Sequence, residues 1–85
     1  MAFADNNNAL YESKIQTDEN MEIVFSMLEN KRSGMIRGNI REFKHTEGYD
    51  GPTKNGMMLK FNTLEDVEKY QKAFNDFFEE AKKFY

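Results

Sequence analysis

The sequence predicts an α+β domain in which a curved, four-stranded antiparallel sheet is followed by one long C-terminal helix. Two observations lead to this class. Between residues 10 and 61, apolar and polar residues alternate with a period of two in several runs, and clusters of turn-forming residues separate these runs. From residue 63 onward, the apolar residues recur every three or four positions, which is the period of a helix.

The size of the chain limits it to one small domain. Its 85 residues can bury only a modest core, so oligomerisation is expected. We assign residues 10–85 to a single ββββα domain and residues 1–9, which contain one large apolar side chain, to a mobile tail. Because the sequence has no cysteine, signal sequence or long apolar run, we expect a soluble cytoplasmic protein with no membrane partner.

The first half of the domain predicts two strands. Leu10–Gln16 alternates weakly and is followed by a turn cluster, Thr17–Asn20. Met21–Leu28 alternates more strongly and is rich in β-branched and aromatic residues, which favours a strand over a short helix. The polar segment Glu29–Gly34 then leads to the next strand, and Gly34 is available for a positive φ angle.

Two further runs, Gly34–Lys44 and Thr53–Phe61, predict the third and fourth strands around an exposed, flexible loop at residues 44–53. In these strands one face carries basic residues, and the other face is mostly apolar. The dipeptide Asn55-Gly56 leaves two interpretations open. It can form a hairpin turn that splits the last strand, or it can mark a glycine bulge inside one strand.

The C-terminal segment Thr63–Tyr85 predicts an amphipathic helix. A capping box can form between Asn62 and Glu65 or between Thr63 and Asp66. The helix would be roughly 34 Å long, longer than strands of about six residues can cover, so its distal aromatic residues need another surface. We expect the same helix of a second copy, packed across a twofold axis, and a ligand pocket is the alternative. The predicted dimer interface consists of Tyr70, Phe74, Phe77, Phe78 and Ala81.

Charge is distributed unevenly along the chain. The formal net charge is -3, which by itself argues against a nucleic-acid partner. Residues 31–60, however, carry seven basic against three acidic residues, a net +4, whereas the other 55 residues carry five basic against twelve acidic, a net -7. Single charges usually only solvate a face, but a basic segment within an acidic chain indicates a surface that attracts an anion.

No residue pattern indicates an enzyme or a bound cofactor. His45 is the only histidine, is expected to be solvated in the loop, and has no cysteine to pair with. The carboxylates of the helix are interleaved with lysines at helical spacing, which is typical of a solvated face. The sequence contains no glycine-rich phosphate loop and no spacing of metal ligands.

Two short segments carry a family resemblance. Ile40-Arg-Glu-Phe43 is similar to an isoleucine-arginine-glutamate-aromatic stretch, and Lys54-Asn-Gly-Met-Met-Leu59 is similar to a basic-x-glycine-x-x-leucine stretch, of the transcriptional positive cofactor four family. The chain resembles this family over residues 10–80, and the family's members, small bacterial and viral ones included, bind single-stranded DNA as homodimers. The resemblance implies a dimer through the helix and binding roles for Arg41 and Lys54, and it favours the bulge at Asn55-Gly56.

Two positions depart from the family's pattern. Lys31-Arg-Ser33 stands where the family commonly has an aromatic residue before the glycine, and Lys44 stands where an aromatic residue follows the first stretch. We therefore expect base stacking to be weaker, and phosphate contacts to be more prominent, than in the family.

The predicted function is sequence-tolerant binding of single-stranded DNA, with RNA as the alternative, in replication, recombination or transcription, in the cytoplasm of a cell or of a viral host. Basic side chains would hold the phosphates, and Phe43 would stack on a base. The competing hypothesis is a small dimeric protein-interaction module that binds a protein partner, such as a component of the replication or transcription machinery, through its sheet or its acidic helix face. The residues predicted to bind nucleic acid are Arg37, Arg41, Phe43, Lys54 and Lys60, together with Lys31, Arg32 and Lys44.

Overall fold

The structure, a computed structural model, describes residues 7–85 and contains within them four strands and one helix. The strands are β1 (Asn7–Asp18), β2 (Met21–Asn30), β3 (Ile36–Thr46) and β4 (Tyr49–Phe61), and the helix is α1 (Leu64–Lys82). The strands pair antiparallel in chain order, so β1 and β4 form the two edges of an open sheet. The predicted α+β class, with a four-stranded antiparallel sheet followed by one helix, is confirmed.

The first hairpins are longer than the sequence predicts. β1 begins at Asn7, so residues 7–9 of the predicted tail belong to the sheet, and the remainder of that tail lies outside the described residues. The turn between β1 and β2 is reduced to Glu19 and Asn20. In the turn between β2 and β3, Gly34 has a φ of 73°, which is the left-handed conformation expected of it.

The prediction of a loop at residues 44–53 is wrong. β3 and β4 continue through this segment to a turn at Glu47 and Gly48. Thr46 closes the turn, because its Oγ1 donates to the Tyr49 carbonyl (3.1 Å) and accepts from the Tyr49 N–H (3.2 Å). β4 is an edge strand, where a proline and glycines can be accommodated without breaking a central ladder.

β4 contains a bulge, where Glu42 of β3 lies opposite three residues, Thr53–Asn55. The Glu42 carboxylate holds the extra residues in place. Its Oε1 accepts hydrogen bonds from the Thr53 hydroxyl (3.0 Å) and from the Asn55 side-chain amide (2.8 Å). Of the two interpretations of Asn55-Gly56, the bulge inside one continuous strand is therefore confirmed.

A capping box sets the start of α1. The Thr63 hydroxyl accepts a hydrogen bond from the Asp66 N–H (3.1 Å), and the Asp66 carboxylate accepts one from the Thr63 N–H (3.2 Å). This is one of the two boxes that the sequence predicts. The helix ends at Lys82, three residues before the predicted end.

Helix and sheet meet at the end of β4. Tyr70 packs edge to face on Phe61 with ring centres 5.7 Å apart, and its hydroxyl accepts a hydrogen bond from the Lys60 N–H (3.2 Å). An apolar cleft of about 420 Å³ remains between the two layers. No residue of α1, the whole of which is described, is buried. Apolar surface on both layers therefore remains uncovered.

The exposed aromatic residues of α1 have a different cause from the predicted one. The helix has 19 residues and spans roughly 28 Å, while the strands have 10 to 13 residues and span roughly 33–43 Å. The sheet is thus long enough to cover the helix, and the predicted mismatch in length is wrong. The aromatic residues are exposed because α1 packs against β4 alone among the four described strands.

The isolated chain is flat and open. Within residues 7–85, the buried hydrophobic residues are Val24 and Leu59. The radius of gyration is 14.9 Å, against roughly 12 Å for a compact domain of this length. The chain exposes 7020 Å², which is roughly 1,700 Å² more than a folded monomer of its mass is expected to expose. One copy alone therefore builds very little core.

Candidate nucleic-acid interface

We call the face of the sheet opposite α1 the outer face. Side chains alternate along each strand, and Leu59 and Phe61 line the cleft beneath α1 together with Gly38 and Ile40. The alternate residues of β3 and β4 therefore point the other way. Those on the outer face include Arg37, Asn39, Arg41 and Phe43 of β3 and Met58 and Lys60 of β4. The predicted division of these strands into a basic and an apolar face is confirmed.

Arg37 and Lys60 lie directly opposite each other on β3 and β4. Opposed side chains of antiparallel strands have Cβ atoms about 5 Å apart, and like charges at that distance destabilise the pair. Both residues are exposed, and no carboxylate of residues 7–85 comes within 4.0 Å of either charge. The Arg37 Nη1 instead donates to the Met58 sulfur at 3.7 Å. An anion bound between the two cations would relieve their repulsion.

Arg41 is partly used by the fold. Its Nη1 donates to the Thr53 carbonyl in the bulge (3.2 Å), which leaves the side chain half-buried. Its guanidinium lies over Gly56, where an added Cβ would come within 2.8 Å of Nε and within 2.7 Å of the Ile40 carbonyl oxygen. Glycine is thus required at this position because backbone and guanidinium approach so closely. The rest of the guanidinium fork remains available to a ligand.

The bulge directs Lys54 to the outer face. Its neighbours Thr53 and Asn55 both donate to Glu42, which alternation places on the helix-bearing face of β3. Lys54, between them, therefore points to the opposite side, and it is exposed. Arg41 and Lys54, the two positions that the family resemblance singles out, lie on the same face on either side of the bulge.

The remaining predicted residues are more widely spread. Phe43 is half-buried on the outer face, roughly 20 Å along β3 from Arg37. Lys31 and Arg32 are exposed in the turn between β2 and β3, at the end of the sheet that carries Arg37. Lys44 alternates onto the helix-bearing face, opposite Met21 and Gly51. The structure therefore separates Lys44 from the other predicted binding residues.

Basic residues in two parts of the chain differ in their partners. None of the seven between residues 31 and 60 has a carboxylate of the described segment within 4.0 Å. The other five basic residues each have one at 2.6–4.0 Å, namely Lys14, Lys69, Lys72, Lys82 and Lys83. Four of the cations without a carboxylate, Arg37, Arg41, Lys54 and Lys60, thus lie on the outer face, while those of the helix are neutralised by their neighbours.

His45 lies in β3 and not in the predicted loop, but its side chain is exposed, as the sequence predicts. Its Nε2 lies 2.9 Å from the Glu22 carboxylate of β2, and its Nδ1 is hydrogen-bonded to the Asp50 carboxylate of β4. These two bonds, the one to Glu22 first, raise the pKa of His45 above its ordinary value of 6.5. The carboxylates sit at opposite ends of the ring, so this cluster joins three strands. Across the described part of the chain, no group of three such side chains is arranged to hold a metal ion.

Four of the predicted interface residues share one side of α1, which we call the helix strip: Phe74, which is half-buried at the edge of the cleft, and the exposed Phe77, Phe78 and Ala81. Phe74 and Phe78 stack with ring centres 6.3 Å apart, and Phe77 meets Phe78 edge to face at 5.6 Å. Phe77 and Phe78 are 66% and 55% exposed. The fifth predicted residue, Tyr70, is half-buried against Phe61 instead.

Sequence reasoning missed three residues beside the basic pair. Met35, Met58 and Asn62 line a groove of about 360 Å³ together with Arg37 and Lys60. The alternation already set the two methionines among the basic residues of their strands. Neither position carries an aromatic ring, the signal from which the sequence predicts Phe43 as a base contact.

No protein-family model, curated protein or solved structure matches this chain significantly. The family resemblance thus rests on its two short segments. These are neighbours in the sheet, since Ile40 pairs with Met57 and Arg41 pairs with Gly56 in the ladder between β3 and β4. No helix of residues 7–85 is both long and apolar enough to cross a membrane.

Proposed function

We propose that this protein binds single-stranded nucleic acid, DNA in the first place, without sequence specificity through the outer face of its sheet. The observation that carries the proposal is the opposed pair Arg37 and Lys60, two exposed cations without a carboxylate from the described residues. In the free sheet the repulsion between the two cations is unfavourable. A phosphate bound between them attracts both and so offsets this repulsion. Such a protein would act within the cell in replication, recombination or transcription.

The basic residues of the outer face follow the line of β3 and β4. Arg41 is four residues from Arg37, about 13 Å along the strand, and Lys54 lies beyond it at the bulge. The bases of an unpaired strand expose their flat faces, so apolar side chains between cations can hold them whatever their sequence. A duplex keeps those faces stacked inside. We therefore expect the surface to prefer single strands.

We also propose that a second copy of the chain covers the helix strip. The chain exposes roughly 1,700 Å² more than a globular monomer of its mass, and each partner of a standard interface buries about 800 Å². The lysines of the helix are already paired with carboxylates on the same helix. What the helix lacks is an apolar partner, and an identical helix across a twofold axis supplies one. The family resemblance implies the same dimer.

Fluorescence anisotropy with a labelled single strand and with the matching duplex tests the binding proposal. We expect the single strand to bind more tightly at moderate salt, with similar affinities for several sequences. Each phosphate neutralised contributes about -0.7 to the slope of log affinity against log salt, so a few contacts give a slope of roughly -2 to -4. Equal or tighter binding of the duplex, or an affinity that does not change with salt concentration, would overturn the proposal.

A protein-interaction module is the second candidate, and the exposure of the helix strip favours it. In this case a different protein, and not a second copy, would cover Phe77 and Phe78. Light scattering at micromolar concentration separates the two candidates. A monomer that shows no preference for single strands would favour the protein partner. A dimer that prefers single strands would support the nucleic-acid proposal, with a second copy covering the helix strip.

A further inference from the structure

The groove beside the basic pair has a composition that suits one kind of occupant. It lies on the outer face, holds about 360 Å³, and is lined by Met35, Arg37, Met58, Lys60 and Asn62. This volume is at the lower end of small-ligand sites, which begin at about 300 Å³. We infer that the groove is a subsite for one nucleotide of the bound strand, with its base against the two methionines and its phosphate between the two cations. The inference rests on the proposed binding of single strands.

The methionines provide the surface for the base. Met35 and Met58 are 43% and 48% exposed, although neither lies on the helix strip or in the cleft beneath α1. A thioether is polarisable and makes favourable contacts with aromatic rings, so two of them offer an adaptable apolar surface to any base. This surface explains how the chain can hold a base at a place where it has no aromatic residue.

The cations provide the site for the phosphate. The Met58 sulfur accepts a hydrogen bond from Arg37 Nη1 at 3.7 Å, which holds the guanidinium beside the groove that both residues line. The remaining N–H groups of that fork can donate to phosphate oxygens, and Lys60 faces them from the neighbouring strand. Met58 thus has two functions in the subsite, because it contacts the base and holds the arginine.

Asn62 closes the groove at the start of the helix. Its backbone N–H donates to the Asp66 carboxylate at 3.2 Å, which fixes the residue in place. Its side-chain amide makes no hydrogen bond with the described residues, so both of its polar groups are available. An amide carries a donor and an acceptor and can therefore pair with the edge of any base. Such an arrangement holds the base in the groove without selecting one.

Methyl resonances of the methionines provide a direct test. Protein with ¹³C-methyl methionine would be titrated with a short oligothymidine, and ring currents should shift the methyl signals of Met35 and Met58. Met57 is the internal control, because it is as exposed as Met58, at 48%, but lies on the opposite face of β4. Shifts at the first two that are absent at Met57 support the subsite.

A matched pair of variants gives the second measurement. Met58→Ala should weaken binding of the oligothymidine roughly two- to tenfold with little change in the salt slope, and Met57→Ala should leave the affinity unchanged. If the parent binds but the methyl signals of Met35 and Met58 do not shift, or if the two variants bind with equal affinity, the subsite is refuted and the proposed function is not. A parent protein that does not bind the oligothymidine at all overturns both.

Discussion

The outer face of the sheet and the helix carry similar kinds of side chains but leave different ones without partners. On α1 and at its C-cap each lysine lies 2.6–3.4 Å from a carboxylate, while Phe77 and Phe78 are mostly exposed. On the outer face Arg37 and Lys60 have no carboxylate of the described residues beside them, and the apolar side chains next to them are the two methionines of the groove.

This difference indicates what each region needs. Binding an ion would stabilise the helix little, since its charges are already neutralised. Covering its rings would remove apolar surface from water, which is favourable by about 25 cal/mol per Å². The outer face gains more from an anion, which offsets the repulsion between neighbouring cations. The two regions therefore call for two different partners, an identical helix and a phosphate backbone.

The largest expected effect comes from placing a charge on the helix strip. Phe78→Asp should give a monomeric or unfolded chain, because an unpaired carboxylate in a buried interface costs several kcal/mol. Light scattering and circular dichroism measure the outcome. Asn75→Asp, which adds the same charge to an exposed helix position outside the strip, should leave the parent dimer intact. A parent that is monomeric at micromolar concentration would refute the assignment of the strip to a second copy.

The attachment of the helix to the sheet depends on Gly38. An added Cβ there would meet the Phe61 ring at 2.5 Å and the Leu59 Cβ at 3.3 Å. Gly38→Ala must therefore displace the ring that Tyr70 packs on, and such overpacking costs about 1–3 kcal/mol. Urea denaturation measures the loss. Gly48→Ala is the control, because nothing lies within 4 Å of its added Cβ, and an unchanged midpoint for Gly38→Ala would contradict the packing of this layer.

Substitutions of two arginines on the outer face should affect binding equally but stability differently. Arg37→Ala and Arg41→Ala should each reduce the magnitude of the salt slope by about 0.7. Only Arg41→Ala should also lower the free energy of unfolding, by about 0.5–1.5 kcal/mol, because it removes the hydrogen bond to the Thr53 carbonyl. Anisotropy at several salt concentrations and urea denaturation measure the two quantities.

The control for the arginine variants is Lys72→Ala, since Lys72 is already paired with Asp76 at 3.0 Å on the helix. Its salt slope should match that of the parent. If Lys72→Ala changes the slope as much as Arg37→Ala does, the unpaired cations have no special role and the comparison between the two regions fails.

The smallest effect concerns pH. The raised pKa of His45 means that the folded chain binds its proton more tightly than the unfolded chain, through Glu22 first and then Asp50. This contribution to stability is complete below the ordinary value of 6.5 and is lost as the pH rises through the raised value. Urea midpoints should therefore fall as the pH rises above about 6.5. In His45→Gln this part of the fall should disappear, and an equal fall in both proteins would refute it.

The fold class and the two faces of β3 and β4 could be predicted because both depend on local periodicity. The loop at residues 44–53 could not, since Gly51 and Pro52 are turn residues by composition and belong to a strand only through pairing with β3. The environment of His45 depends on Glu22, which is 23 residues away along the chain. Contacts of this kind follow from the register between strands, which residue patterns alone do not determine.

The candidate site shows the same limit. Alternation was enough to bring Arg37 and Arg41 to one face, because their positions differ by an even number within β3. Lys60 joins them because the apolar residues of β4 alternate with it and face the same way as the apolar residues of β3. The odd spacing of Lys44 from Arg37 and Arg41 likewise sets it on the other side of the sheet. Alternation could not show that Arg41 bonds the bulge. Whether a cation has a carboxylate beside it is likewise a property of the folded chain.

The bulge in β4 lets the strand absorb changes in chain length. Three residues, Thr53–Asn55, stand where one would pair with Glu42, so the strand carries an excess of two, which is the repeat of a strand. Removing two residues from the bulge would straighten β4 and still leave Lys60 outward and Leu59 inward. Removing one residue would leave two residues opposite Glu42, which is the arrangement of an ordinary bulge, and β1 contains such single extra residues at Leu10 and Thr17. The loss of one or two residues at this point can therefore be taken up within the bulge, while the pairing of Lys60 with Arg37 beyond it is kept.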